Sequence, residues 1–221
     1  MADSLLRLDG VSKSYGNDTH VLREVSIAFW RGQLTSLTGP SGSGKSTLIS
    51  LLAGLSVPDA GRVVFDGDDL AQLDDVARAR LRAQRIGIVL QSGNLIPFLT
   101  ATENVALATE FADGNGDEHR AIDRLAELGV GDRGHHLPRR MSGGEAQRVA
   151  VAVALANDPE LLLADEVTGQ LDTANADQVM ATIFEAGRRR GLTVLFVTHN
   201  HELADRAERR LILDGGKVRE R

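Results

Sequence analysis

Over residues 34–38, Leu-Thr-Ser-Leu-Thr, polar positions are set between apolar ones as in a strand; over residues 48–53, Leu-Ile-Ser-Leu-Leu-Ala, the apolar spacing becomes helical. The same reading along the chain predicts antiparallel strands over 5–9 and 21–29, joined by the turn Tyr15-Gly16-Asn17-Asp18. A strand over 61–65 ends in the turn Asp66-Gly67-Asp68, a charged helix covers 71–85, and a strand covers 86–90. From Gln91 to about Asp132 the pattern is helical, interrupted by the polar loop 112–117. A strand returns at 161–164, a helix near 174–190 and a strand at 193–197. A last hairpin pairs 211–213 with 217–218 across Asp214-Gly215-Gly216. Helices alternating with uninterrupted apolar strands predict an α/β fold with a mainly parallel sheet, an antiparallel β layer at the N-terminal side and a helical middle third.

Between the strand at 34–38 and the helix at 48–53 stand Gly39, Pro40, Ser41, Gly42, Ser43, Gly44, Lys45, Ser46 and Thr47. They satisfy G-x-x-x-x-G-K-[ST], the phosphate-binding loop pattern, in the strand–turn–helix setting that it requires, so the chain is expected to bind a nucleoside triphosphate, with a P-loop NTPase core as the expected fold. The glycines let successive N–H groups turn inward on an anion, and the helix N-terminus adds its positive end. Lys45 reaches the β/γ-phosphates, and the Ser46 hydroxyl is placed to ligate Mg²⁺.

Bulk composition narrows the setting. A chain of 221 residues suits one domain. The absence of cysteine removes disulfides, thiolate catalysis and cysteine zinc sites. A formal charge of −6 argues against nucleic-acid binding. The short clusters Arg188-Arg189-Arg190 and 206–210 fit solvated helix ends. No apolar run approaches the ~20 residues of a membrane span, and Met1-Ala2-Asp3-Ser4 lacks the basic start of a signal peptide. The expectation is a soluble chain whose membrane role, if it has one, comes through a partner.

Four further sites converge on the same phosphate. The apolar strand at 161–164 ends in Asp165-Glu166, and ligands of open α/β sheets sit at the carboxyl ends of strands. Asp165 would bind Mg²⁺, through water, and Glu166 would orient and deprotonate the attacking water. Gln91 and His199 follow two other strands, and the His199 imidazole can hydrogen-bond a γ-phosphate oxygen. Ser142 with Glu145 forms a capping box in front of an apolar helix, which leaves Gly143 and Gly144 unexplained. Two glycines there make a second phosphate-binding helix end.

Tyr15, the loop 39–47, Gln91, Met141-Ser142-Gly143-Gly144-Glu145, Asp165-Glu166, Asp172 and His199, in this order, resemble the nucleotide-binding subunit of the ATP-binding cassette family over essentially the whole chain. The resemblance implies an ATPase with ATP and Mg²⁺ as its cofactors. It implies one domain over 1–221, with a nucleotide-binding core at about 1–90 and 158–221 and a helical signature subdomain at about 91–157. By resemblance, Tyr15 stacks on adenine, Gln91 touches Mg²⁺ and senses the transport partner, Ser142, Gly143 and Gly144 bind the γ-phosphate of ATP held by another subunit, and Asp172 links the two sites. Two identical chains then close head to tail around two ATP as an ATP-dependent homodimer and drive an integral membrane permease for export or extraction, with the chain in the cytoplasm, peripheral on the inner face of the membrane.

Arg78-Ala79-Arg80-Leu81-Arg82 before Arg85-Ile86-Gly87, Asn94-Leu95-Ile96-Pro97, Thr100-Ala101-Thr102-Glu103-Asn104-Val105, Glu145 and Thr168-Gly169 look like the group covering lipoprotein release, macrolide export, antimicrobial-peptide resistance and cell division. The permease contact is expected near Gln91 to Asn104, with Leu95, Pro97 and Phe98 either facing a cytoplasmic helix or packing in the core. Departures from the family pattern are Val167 for proline, Gln170 for asparagine, Ala146 for glutamine and Val153 for arginine; none removes a catalytic group. The alternative function is a non-transport ATP switch that signals through a membrane partner in cell division.

Overall fold

The computed structural model describes residues 4–16, 19–169 and 171–221. Among the described residues ten strands follow one another as β1 (Ser4–Tyr15), β2 (Thr19–Trp30), β3 (Leu34–Thr38), β4 (Ala60–Phe65), β5 (Asp68–Asp69), β6 (Ile86–Val89), β7 (Leu161–Asp165), β8 (Thr193–Val197), β9 (Arg209–Asp214) and β10 (Lys217–Glu220). The helices are α1 (Lys45–Leu52), α2 (Asp75–Arg85), α3 (Ala101–Asp113), α4 (Glu118–Glu127), α5 (Gly143–Ala154), α6 (Thr173–Arg190) and α7 (His201–Ala204).

The strands form two sheets, ordered β2-β1-β4-β5 and β10-β9-β3-β8-β7-β6. The first is antiparallel throughout. In the second, β9, β3, β8, β7 and β6 are parallel, and only β10 runs against its neighbour. Register places Leu37 and Asp165 on either side of Val197, and Val89 beside Ala164. The segments leaving β3, β8, β7 and β6 therefore emerge side by side, at the carboxyl edge where ligands of such sheets bind.

At its centre, in β7 and β8, the six-stranded sheet is buried on both faces. Leu161 and Leu163 of β7, with Leu195 and Val197 of β8, pack under α1 together with Phe29 and Phe65 of the antiparallel layer. The alternate positions, Leu162, Ala164, Val194 and Phe196, join a second core with α3, α4, α5 and α6. That double burial is why these strands read as unbroken apolar runs.

The structure departs from the sequence-based outline in the middle of the chain. Helix α2 starts at Asp75 rather than 71, because Asp74 caps it by accepting the Ala77 N–H at 2.7 Å. Residues 91–100 are not helical. The Asn94 side chain accepts the Leu90 N–H at 2.7 Å and donates to its carbonyl at 2.6 Å, while buried Asn104 accepts the Ile96 N–H at 2.7 Å. These bonds offer the backbone an alternative to the helical ladder. Helix α3 begins only at the Thr100–Glu103 capping box and runs to Asp113, so the polar loop shortens to 114–117. Asn17 and Asp18 of the first expected turn, and Gln170, lie outside the described residues.

Candidate active site

Thr38 ends β3, and the chain turns through residues 39–44 into α1. Gly39 and Gly44 both take positive φ, 149° and 104°, and a Cβ on Gly39 would lie 2.2 Å from the Leu213 carbonyl. Helix α1 is the one α-helix among the described residues without a side-chain cap; Asp74, Thr100, Asp117, Ser142, Asp172 and Asn200 cap the other six. The donors of its first turn are thus not claimed by a capping side chain, which suits an anionic ligand.

A cleft of about 410 Å³ opens in front of this turn, lined from residues 41–47 and by Gln91, Asp165, Glu166 and Val21. Lys45 is buried, and its ammonium donates to the carbonyls of Gly39 at 3.1 Å and Pro40 at 2.9 Å. It also lies 4.0 Å from Glu166 Oε1. The His199 Nε2 meets that same carboxylate oxygen at 2.7 Å, with His199 half exposed and Glu166 mostly covered. Glu166 holds φ at 49°, a left-handed conformation that costs a non-glycine residue on the order of 1 kcal/mol. That turn separates the direction of Glu166 from that of Asp165 on the strand end.

Asp165 answers whether these residues suit a cation. Burial pushes its carboxyl above the usual range, against the pull of the Ser46 side chain, and the charge of Glu166 adds to the rise. One of its oxygens is buried without a hydrogen-bond partner. An orphaned carboxylate oxygen beside a serine hydroxyl is a fitting start for Mg²⁺, which takes few protein oxygens and completes its shell with water and phosphate. Among the described residues no group of three or more His, Cys, Asp or Glu offers an all-protein cage.

Other expected residues stand away from this cleft. Tyr15 is half exposed at the end of β1, with Lys13 Nζ 5.7 Å from its ring centroid, and does not line the cleft. Ser142 and Glu145 form the expected capping box at the start of α5. Glu145 also accepts from Arg133 Nε at 2.9 Å, and the Ser142 backbone N–H, ahead of Arg133, brings its carboxyl down to about 2. Asp172 caps α6 by accepting the Asn175 N–H at 3.0 Å. Gly169 lies against the Gln91 amide, 3.3 Å from where its Cβ would stand. Of the apolar residues expected to face a partner, Pro97 and Phe98 are exposed, whereas Leu95 packs on the core. Val167, in the place of the family's proline, is buried in that core.

Sequence reasoning missed two features. Val21, from the antiparallel layer, lines the cleft, and nothing in its neighbours marks it. A larger apolar groove of about 650 Å³ lies between α2, the start of β6, α3 and α5, with Val76 and Phe111 strongly exposed at its sides. Its residues are spread over 76–157, and only the fold gathers them.

Residues 22–169 match the family described as ABC transporter. The chain is 44% identical to the lipoprotein-releasing system ATP-binding protein LolD of Cereibacter sphaeroides, with 97% of this chain and 98% of the relative covered. It is also 44% identical to LolD 1 of Rhodopseudomonas palustris, over 99% of each. A solved ATP-binding cassette in a dimeric post-hydrolysis state, bound to ADP and Pi, superposes with a TM-score of 0.90 at 36% identity, covering 98% of this chain and 97% of the other. With such relatives the cell-division switch is not favoured. The chain belongs to the ABC transporter family, as an ATP-binding, ATP-hydrolysing subunit that powers a membrane transporter.

Proposed function

We propose that this chain is the ATPase of a lipoprotein-releasing type of system and works as a head-to-tail homodimer around two ATP. The observation that carries the catalytic half is the convergence of Lys45 and His199 on Glu166, at 4.0 and 2.7 Å, in front of an uncapped helix end. Lys45 and the donors of residues 39–47 hold the β/γ-phosphates, and Tyr15 supplies the face for adenine. The Glu166 carboxylate takes a proton from the attacking water as its oxygen bonds to the γ-phosphorus; the bond to the β–γ bridging oxygen breaks and ADP leaves. His199 holds Glu166 in register and donates toward a γ-phosphate oxygen. Ser46, Gln91 and Asp165 would hold Mg²⁺, which supplies positive charge to the phosphate oxygens when bound. Ser142, Gly143 and Gly144 close the site on the mate's ATP, and Asp172 joins the two sites.

Residues 1–90 and 158–221 form the nucleotide-binding core in this reading, and 91–157 the helical subdomain that carries the signature. The permease docks with a cytoplasmic helix beside Gln91, Pro97 and Phe98 and in the groove flanked by Val76 and Phe111. No helix among the described residues is long and apolar enough to cross a membrane. A place in the cytoplasm, on the inner face of the membrane, fits that arrangement.

Co-purification of the membrane subunit, followed by ATPase assay with and without it, tests this function. The expected result is an ATPase that the subunit stimulates, with Phe111→Asp removing the stimulation and leaving basal turnover in place. A strictly monomeric chain with full activity would overturn the shared-site reading.

A further inference from the structure

Gly144 is buried, and what covers it is the side chain of Asn175 from the first turn of α6. A Cβ on Gly144 would lie 2.4 Å from Asn175 Oδ1, 2.9 Å from its Cγ and 3.2 Å from its Cβ. The other side of the same amide points to Asp172, where Asn175 Nδ2 donates to Oδ2 at 2.6 Å while the Asn175 backbone N–H donates to Oδ1 at 3.0 Å. One planar amide thus touches the signature turn with its oxygen side and the capping aspartate with its nitrogen. The adjoining residues repeat the contact: Leu171 Cδ2 stands 3.2 Å from a Cβ placed on Gly143, and Arg148 donates to Gln178 Oε1 at 3.0 Å one turn further along the two helices.

We propose that Asn175 is a positioning residue for ATP hydrolysis, holding Asp172 and the turn at Ser142–Gly144 of one chain as a single rigid unit that is presented to the other chain. This rests on the composite-site reading above, in which both segments act on the mate's nucleotide. It gives Gly144 a second role: the glycine admits not only a phosphate from outside but the Asn175 amide from inside. A substitution at Asn175 touches no nucleotide in its own chain, so its consequences belong to the dimer.

The test uses the full chain with ATP and Mg²⁺, and scores dimerisation by sedimentation in a Glu166→Gln background. For Asn175→Ala the expected result is ATP affinity of the monomer within about twofold of that of the unsubstituted background, a dimer dissociation constant raised about tenfold or more, and, with Glu166 kept, a lowered kcat at saturating ATP with little change in KM. Gly144→Ala should abolish dimerisation, and adding Asn175→Ala should restore part of it, because the Oδ1 and Cγ clashes vanish together; such a reversal is a coupling between the two positions. Melting of each variant separates this from simple unfolding: an Asn175→Ala protein whose monomer ATP affinity and Tm fall together has a merely structural asparagine, and the proposal fails. It fails alone if Asn175→Ala dimerises like the unsubstituted background, or if Asn175→Ala gives Gly144→Ala no relief. If the background itself forms no ATP-dependent dimer, the composite-site reading fails and takes this proposal with it.

Discussion

The N-termini of α1 and α5 are both glycine-bearing turns that open a helix, yet they are built in opposite ways. The α1 turn is uncapped, keeps a buried lysine folded onto its own carbonyls, and looks across at two carboxylates and a histidine. The α5 turn is closed by its own capping box, braced by Arg133 and packed against Leu171 and Asn175. A helix end meant to bind and cleave a phosphate brings chemistry with it. One that completes another molecule's site, as we propose for α5, needs only shape, a hydroxyl and two N–H groups, held rigidly. In that proposal the two ends are unequal halves of one device.

The largest effect should come from removing the chemistry of the α1 side alone. Glu166→Gln is expected to lower phosphate release by about 10²- to 10⁴-fold, the usual contribution of a positioned base, while ATP binding persists and the ATP-bound dimer accumulates. Phosphate release at the wild-type rate would mean that another group takes the water's proton.

Next come paired substitutions, one in each turn. Lys45→Ala should weaken ATP binding by the monomer about 10- to 100-fold, as expected for loss of a charge-assisted bond worth ~1.5–3 kcal/mol. Ser142→Ala should leave that binding alone and weaken only the dimer, apart from about 1 kcal/mol of stability lost with the cap. Equilibrium binding of a fluorescent ATP analogue at low and high protein concentration separates the two. If Ser142→Ala weakens binding at low concentration as much as Lys45→Ala does, both turns serve one chain and the division is wrong.

The two turns were also unequally legible in the sequence. The loop at 39–47 carries its cause in consecutive residues, because a strand, a curled backbone and a helix end are all local. The apolar runs at 161–164 and 193–197 were equally direct, since a strand buried on both faces has no polar alternation to hide. Ser142 and Glu145 announced a capping box, but their neighbours gave no hint that Gly144 also makes room for Asn175, thirty-one positions on. That requirement exists only once α5 and α6 pack. The groove beside Phe111 and the contribution of Val21 are hidden for the same reason. Residues 91–100 misled in the other direction: apolar spacing suggested a helix, and two asparagine side chains took the backbone bonds that a helix would have used.

The smallest effect should come from the brace on α5. Glu145 keeps its carboxyl at about 2, chiefly through the Ser142 N–H and then through Arg133, against an ordinary 4.5 in the unfolded chain. A carboxyl lowered by folding stabilises the folded state fully above the unfolded value and loses that contribution as pH falls toward the folded one. The window therefore runs from about 4.5 down to about 2. Glu145→Gln keeps an acceptor for the Ser142 N–H but drops the charge that Arg133 uses. Its melting temperature should sit below that of the wild type by roughly a few degrees near neutral pH, and the gap should close as pH drops below about 4. Thermal melts of both proteins across that range decide the matter. A gap that stays constant with pH would show that the brace acts through packing rather than charge.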